Sequence, residues 1–356
     1  MPSRLAAFLF AIVSFVIVGV FFVFERPPIE TVQSGFRGTG MSQQFNPRIL
    51  ATLAPNNVVP EVLEPADADG PRASEVYENV QVLGHLSVEQ FGRIMQAITL
   101  WIYPDDENNP EGSGCNACHV PGNFATEGKY QKTVARRMFQ MTWAINSTWA
   151  SHVQEVGVTC YTCHRGQAVP ANVWAMSPPV APLSRNWDTS PYQNRPVSAN
   201  GFSDLPADPF TPYLFRDEQI RVISDAARAR DVVNNQSIQQ TEWTFSLMMH
   251  FSRSLGVNCT YCHNSRSFGS WETSPPARLN AWHGIRMVRN INNEYIEPLR
   301  PVFPENRLGP LGDTLKTNCS TCHQGVWQPL YGAQMLKDYP ELNPPPRSAQ
   351  AVSSRN

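Results

Sequence analysis

Every cysteine in this 356-residue chain sits in one short pattern. The eight form four C-x-x-C pairs: Cys115 with Cys118, Cys160 with Cys163, Cys259 with Cys262, and Cys319 with Cys322. Each pair is followed at once by histidine, reading CNACH, CYTCH, CTYCH and CSTCH. Two thiols at that spacing suit covalent attachment of a c-type haem. They add to the two vinyl groups of one porphyrin, and the next residue offers its imidazole to the iron as fifth ligand. A zinc site needs no histidine directly after each pair. No cysteine is left for a disulfide, a lipid anchor or catalysis. Four covalently bound c-type haems are expected, with His119, His164, His263 and His323 as proximal ligands.

The start of the chain is of another kind. Residues 5–24 are an uncharged run of twenty, and about 20 apolar residues cross the hydrocarbon core as a helix. A cleaved signal peptide usually has an apolar region of about 7–15 residues and a small-residue site after it. Here the run ends in FFVFER, so an uncleaved anchor is expected. Arg4 and the terminal amine favour a cytoplasmic N-terminus of residues 1–4, while Arg26 pulls the other way. Covalent haem attachment puts the rest of the chain outside the cytoplasm. A formal net charge of −2 gives no basis for a nucleic-acid surface, and 31 prolines imply long irregular connections.

The chain also repeats internally. GVTCYTCH (157–164) matches GVNCTYCH (256–263), MTWAINSTW (141–149) matches MVRNINNEY (287–295), and VEQFGRIMQAI (88–98) matches TEWTFSLMMHF (241–251). Strand-like alternation is scarce. The expected fold is mainly α, a multihaem cytochrome c of two pseudo-symmetric diheme halves with long irregular loops, plus the N-terminal transmembrane helix. The halves fall at 76–180 and 241–340, joined by a segment at 181–240 and followed by a tail at 341–356. MSPPVAPLSRNW and DLPADPFTPYLF mark the joining segment as irregular chain.

Haems that only transfer electrons are normally six-coordinate. Candidate sixth ligands are methionines and the spare histidines His85, His152, His250 and His283. Met95 lies in a helical pattern before Cys115, opened by Ser87 and Gln90 in the spacing of a capping box. Met248 and Met249 precede Cys259; Met138 and Met141 lie in a long helical pattern before Cys160. Most helical methionines simply pack. Met138 and His152 are fourteen positions apart, so on one helix they share a face about 21 Å apart and serve different irons. If Met141 pairs with Met287 in the repeat, Met138 falls opposite Gly284. A Met138 ligand then leaves the last haem without its own methionine, and His152 can supply it. Two other schemes are self-consistent: Met141 and Met287 as ligands with His152 structural, or four bis-histidine haems using all the spare histidines. Methionine ligation raises the haem potential, so the schemes imply different tasks.

Long stretches of the chain resemble the tetrahaem cytochrome subunit of the purple-bacterial type photosynthetic reaction centre. They include QSGFRGTGM, VYENVQVLGHLSVEQFGRIM, KYQKTVARRMFQMTWAINSTWASHVQEVGVTCYTCHRG, SLGVNCTYCH, WHGIRMVRNINNEY and TCHQGVWQPLYGAQMLKDYPEL. The resemblance implies a roughly linear array of four haems on the periplasmic face of the reaction-centre core. Electrons would arrive from a soluble periplasmic donor, a c-type cytochrome or a high-potential iron–sulfur protein, and pass to the photo-oxidised bacteriochlorophyll pair. It implies sixth ligands Met95 for the haem of His119, Met138 for His164, Met248 for His263 and His152 for His323. The haem of His263 would lie nearest the pigment pair and that of His119 toward the outer end. It also implies that residues 25–75 run as an extended segment on the reaction-centre surface, and that the chain is a single-pass protein of the photosynthetic inner membrane. Two features depart from the family pattern. Many relatives carry a lipid on an N-terminal cysteine, which this chain lacks, and the loop YPDDENNPEGSG before Cys115 is longer and more acidic than usual.

No acid–base or nucleophilic constellation competes with an electron relay, so no enzyme is expected. The alternative is a membrane-anchored quinol-oxidising tetrahaem dehydrogenase, which would want mainly bis-histidine ligation or an open haem position. A haem-storage protein would need no ordered potentials. Arg165 and Arg278 are candidate neighbours of haem propionates. Asp105, Asp106, Glu107 and Glu111, beside the first motif, are candidates for steering a positively charged donor.

Overall fold

The computed structural model describes residues 2–23, 28–33, 42–178, 196–222 and 237–345. Phe24, Arg26, most of QSGFRGTGM, most of MSPPVAPLSRNW and the tail beyond Pro345 lie outside the described residues. The first helix, α1, spans Pro2–Val23. Within its stretch Arg4–Val23, an 18-residue segment has a mean hydropathy of 2.9, and the stretch is long and apolar enough to cross a membrane.

The next elements are small. Strands β1 (Glu30–Gln33) and β2 (Ser42–Phe45) pair antiparallel, Glu30 opposite Phe45. Helix α2 (Pro47–Leu53) is capped by Asn46, whose side chain accepts from the Arg48 amide at 2.9 Å. A short α3 (Ala73–Val76) follows irregular chain. Among the described residues of 25–75 are thus an antiparallel strand pair, α2 and the start of α3. This segment is also tied to distant parts of the fold. Gln43 accepts from the Asn258 amide at 2.9 Å, and Tyr339 Oη accepts from the Leu63 amide at 3.0 Å.

The haem-motif region is built from two matching series of elements. The first is α4 (Val88–Ile102), a 3-10 turn at Gly114–Ala117, α5 (Tyr130–Thr148), the short α6 (Ala150–Val153) and α7 (Cys160–His164). The second is α8 (Ile238–Leu255), a 3-10 turn at Cys259–Tyr261, α9 (Ala277–Asn290) and α10 (Cys319–His323). A four-residue helix, α11 (Met335–Asp338), comes last.

The correspondence extends to single bonds. Helix α4 opens on Ser87 and Gln90 and α8 on Ser237 and Gln240, each a reciprocal capping box. Gly166 donates to the Trp101 carbonyl at 2.8 Å, joining α7 to α4. Gly325 donates to the Ser254 carbonyl, also at 2.8 Å, joining α10 to α8. Arg165 and Gln324 end α7 and α10 in the left-handed conformation. The match of GVTCYTCH with GVNCTYCH does not extend so far. Gly157 and Gly256 share a positive φ, but the turn after one is α-helical and after the other 3-10.

The long helix expected before Cys160 is broken. Trp149, at φ −106° and ψ 22°, separates α5 from α6, so Met138 and His152 do not share one helix axis. At this break Trp149 Nε1 donates across to Asn290 Oδ1 at 3.1 Å.

Two apolar cores mix the halves. One combines Ile94, Ala97, Trp101 and Phe139 with Leu330, Met335, Tyr339 and Leu342 from the far end of the chain. The other combines Leu247, Ile285, Val288 and Ile291 with Ile145, Trp174, Phe210, Tyr213 and Leu214. Two sequence expectations change here. The joining segment supplies core side chains through a π-type turn at Thr211–Phe215, and the expected tail begins with Glu341 and Leu342, both buried. Burying an aliphatic side chain stabilises by about 1.5–3 kcal/mol, which holds such segments in place.

Glu341 is buried because Arg93 meets it. Arg93 Nη1 donates to both carboxylate oxygens at 3.1 Å. Its other nitrogens donate to the carbonyls of Glu64 (2.7 Å), Leu63 (2.8 Å) and Asp338 (2.9 Å). The guanidinium also lies 4.2 Å from the Tyr339 ring centre. Glu341→Ala strands a buried cation and is expected to lower the unfolding free energy by about 3–5 kcal/mol. The paired change Arg93→Met with Glu341→Met should recover most of that loss. Thermal unfolding of the three chains checks this, and a Glu341→Ala protein as stable as the parent contradicts it.

Candidate haem sites

The four motifs adopt two local forms. Cys115–His119 and Cys259–His263 fold as 3-10 turns, and Cys160–His164 and Cys319–His323 as single helical turns. Each form orients its histidine in its own way. His119 and His263 donate from Nδ1 to the carbonyl five residues on, Phe124 at 3.0 Å and Phe268 at 2.9 Å. His164 and His323 donate to the carbonyl three residues on, Gln167 at 2.8 Å and Val326 at 3.1 Å. A carbonyl only accepts, so Nδ1 carries the proton in all four rings. Nε2 keeps its lone pair for a metal, the arrangement that orients metal-ligating imidazoles. Burial lowers the pKa of His164, His263 and His323, the last to about 4, which keeps these rings neutral.

Four of the eight thiols are held toward the uncharged form by burial. Burial pushes Cys160 and Cys319 up to about 12, and Cys118 and Cys262 up to about 11. A zinc site needs thiolates, which this burial opposes; a thioether carries no charge. Among the described residues, no three His, Cys, Asp or Glu side chains converge as a metal cage.

A cavity of about 750 Å³ runs between the first two motifs. Cys115, Cys118 and His119 line one part, and Cys160, Cys163 and His164 another, with Met95, Met138 and Met141 on the walls. Ile296, Leu299, Phe303 and Arg307 close it from the second half of the chain. Arg307 Nε is buried without a hydrogen-bond partner. Apolar walls, thiol pairs, imidazoles with free Nε2 and a guanidinium with one unpaired nitrogen fit a porphyrin bearing carboxylates.

The motifs of the two halves meet at α7 and α10. Cys163 Sγ and Cys322 Sγ lie 2.6 Å apart. Arg165, considered above as a propionate neighbour, staples this junction. It donates to the carbonyls of Thr162 (3.0 Å) and Cys322 (3.1 Å) and to Asn57 Oδ1 (3.3 Å). Arg278 stacks on Trp271 at 4.2 Å and donates to the Ser270 carbonyl at 2.6 Å, close to Cys262.

The spare histidines separate by geometry. His152 faces His323 with ring centroids 6.2 Å apart. One metal ion between two imidazoles, at about 2 Å from each nitrogen, needs roughly that separation. His152 Nδ1 donates to Asn280, whose carbonyl and Oδ1 both lie at 3.0 Å, so its Nε2 is free like those of the proximal rings. His85 packs edge-on to Trp143 and His283 to Trp282. His250 bonds to Ser254 at 3.1 Å, packs on Phe210, and is pushed down to about 3 by burial. Among the methionines, Met287 is buried in the second core, and Met249 packs against Gly201. Met248 packs at the edge of that core.

The sequence pattern named the motif residues and their candidate ligands but not the groups that position them. Asn280, which binds His152, and Arg307, which lines the cavity, lie far along the chain from those places, and no spacing links them. The histidine-binding carbonyls have no side-chain signature at all.

Covalent attachment turns with oriented imidazoles, set in a helical frame, define a c-type cytochrome. Over residues 25–343 the sequence matches the family described as the photosynthetic reaction centre cytochrome C subunit. The photosynthetic reaction center cytochrome c subunit of Thermochromatium tepidum is 50% identical over 319 residues, spanning 89% of this chain and 76% of that protein. That of Rubrivivax gelatinosus is 49% identical over 327 residues, spanning 92% and 87%. That of Roseobacter denitrificans is 41% identical, spanning 88% and 85%. The chain belongs to this family: it is an electron-transfer subunit of a photosynthetic reaction centre, not an enzyme, and carries covalently bound haem c.

Proposed function

We propose that the chain carries four c-type haems in two pseudo-symmetric diheme halves and relays electrons from a soluble periplasmic donor to the oxidised pigment pair. The haem sites run in the order His119, His164, His323, His263. The observation that carries this order is the junction of α7 with α10, where Cys163 and Cys322 meet. The cavity shared by the motifs of His119 and His164 supports their adjacency. Haem, when bound, supplies a reversible one-electron couple. The protein's own residues hold each ring and set how readily it is oxidised. Met95, Met138 and Met248 serve as sixth ligands to the irons of His119, His164 and His263, and His152 serves that of His323. Support for His152 comes from its approach to His323 and its bond to Asn280. The packing of His85 and His283 on tryptophans speaks against an all-histidine scheme, and so against a quinol-oxidising dehydrogenase.

Helix α1 serves as a single-pass anchor in the photosynthetic membrane, with the haem region on the periplasmic side; its length and hydropathy support this. The donor is a c-type cytochrome or a high-potential iron–sulfur protein. Asp105, Asp106, Glu107 and Glu111 form an exposed loop beside Cys115 and raise the encounter rate with a positively charged donor.

A saturating flash given to the purified pigment complex should oxidise haem of this chain, and no haem oxidation would contradict the relay. Met138→Leu is expected to remove one methionine-to-iron charge-transfer band and lower one haem potential, while Met141→Leu leaves all potentials unchanged. The reverse pattern in a redox titration reassigns the ligand to Met141. Changing the four loop carboxylates to amides should slow donor oxidation and flatten its ionic-strength dependence. An unchanged rate and salt slope would remove the loop from donor binding.

A further inference from the structure

Helix α9 of the second half lies where α5 lies in the first, and the sequence register that pairs Met141 with Met287 puts Gly284 opposite Met138. Gly284 is not forced by backbone geometry. It sits inside α9, well before the helix ends at Asn290, and has no positive φ. Glycine there costs helix stability, about 0.8–1.0 kcal/mol relative to alanine. What the missing side chain leaves is space, and the His152 ring fills it. A Cβ on Gly284 would stand 2.6 Å from His152 Cε1, 3.0 Å from Nδ1 and 3.2 Å from Nε2. One turn earlier on the same helix, Asn280 accepts the His152 Nδ1 proton. The two residues are four apart and so share a helix face. The same register puts Pro298 opposite His152, so the first half has no histidine to receive in return.

We propose that Gly284 is the residue that decides the sixth ligand of the haem held by His323: by carrying no side chain where the first half carries Met138, it admits His152 from the first half. Asn280 completes the seat by holding the ring with Nε2 free. The exchange sets that haem apart chemically, since imidazole in place of thioether lowers its potential relative to its methionine-ligated neighbours. The proposal rests on the assignment of His152 to the haem of His323.

Three variants of the full chain test it: His152→Ala, Gly284→Ala, and His152→Ala combined with Gly284→Met. Each is read by electron paramagnetic resonance, optical spectra and redox titration of all haems. His152→Ala should abolish the bis-imidazole signal of one haem. Gly284→Ala should abolish or shift the same signal and leave the others unchanged. The double variant should gain a methionine-to-iron charge-transfer band and a higher potential at that haem than His152→Ala shows. Gly284→Ala spectra and potentials like the parent's, alongside an altered haem in His152→Ala, overturn the role of Gly284 and leave the ligand assignment standing. An unaltered set of haems in His152→Ala overturns the assignment and the proposal together. If Gly284→Ala does not assemble, the double variant decides, and a haem without a sulfur ligand there overturns the proposal.

Discussion

A hydrogen bond from imidazole Nδ1 to a backbone carbonyl sets each of the four motif histidines. It fixes the proton on one nitrogen and the plane of the ring, so that the other nitrogen presents a lone pair in a set direction. The bond is available only because the chain turns sharply after each motif. After His119 and His263 the turn closes five residues on, at Phe124 and Phe268; after His164 and His323 it closes three residues on. Burial holds the His164, His263 and His323 rings and the Cys118, Cys160, Cys262 and Cys319 thiols toward their neutral forms. At the first two motifs, residues of α4 and α5 line a cavity of about 750 Å³ with room for the cofactor.

The two series of elements are not independent of each other. Residues near the end of the chain, Leu330 to Leu342, complete the core around α4 and α5, and Trp174 and Ile145 enter the core around α8 and α9. Arg93 with Glu341, Trp149 with Asn290, and His152 with Asn280 each cross between halves through buried or partly buried polar contacts. Such contacts are costly when half made. The chain is therefore expected to gain its fixed geometry only when both halves are present.

Much of this was legible in the sequence, for physical reasons. The C-x-x-C-H pattern is a covalent requirement, so it named the histidines and cysteines directly. The capping box at Ser87 and Gln90 was visible because local hydrogen bonds leave a local spacing. The position opposite Met138 was also visible, as Gly284, although its use became clear only when His152 was found against it. What escaped were effects of distant chain. Nothing near residues 130–153 foretells that the helix will break at Trp149 and that its indole will bond to Asn290. Nothing near 341–342 foretells Arg93, and nothing near Arg165 foretells its bond to the Cys322 carbonyl of α10. The family resemblance carried the ligand scheme beyond what spacing could decide between Met138 and Met141.

The central claim is a relay with methionine on three irons and histidine from the opposite half on the fourth. Electron paramagnetic resonance of the fully oxidised chain, recorded through a stepwise redox titration, tests it most directly. The account predicts four low-spin haems titrating separately, three of them methionine–histidine in type and one bis-histidine. Four bis-histidine signals at low potential, or an iron with an open position, would contradict it.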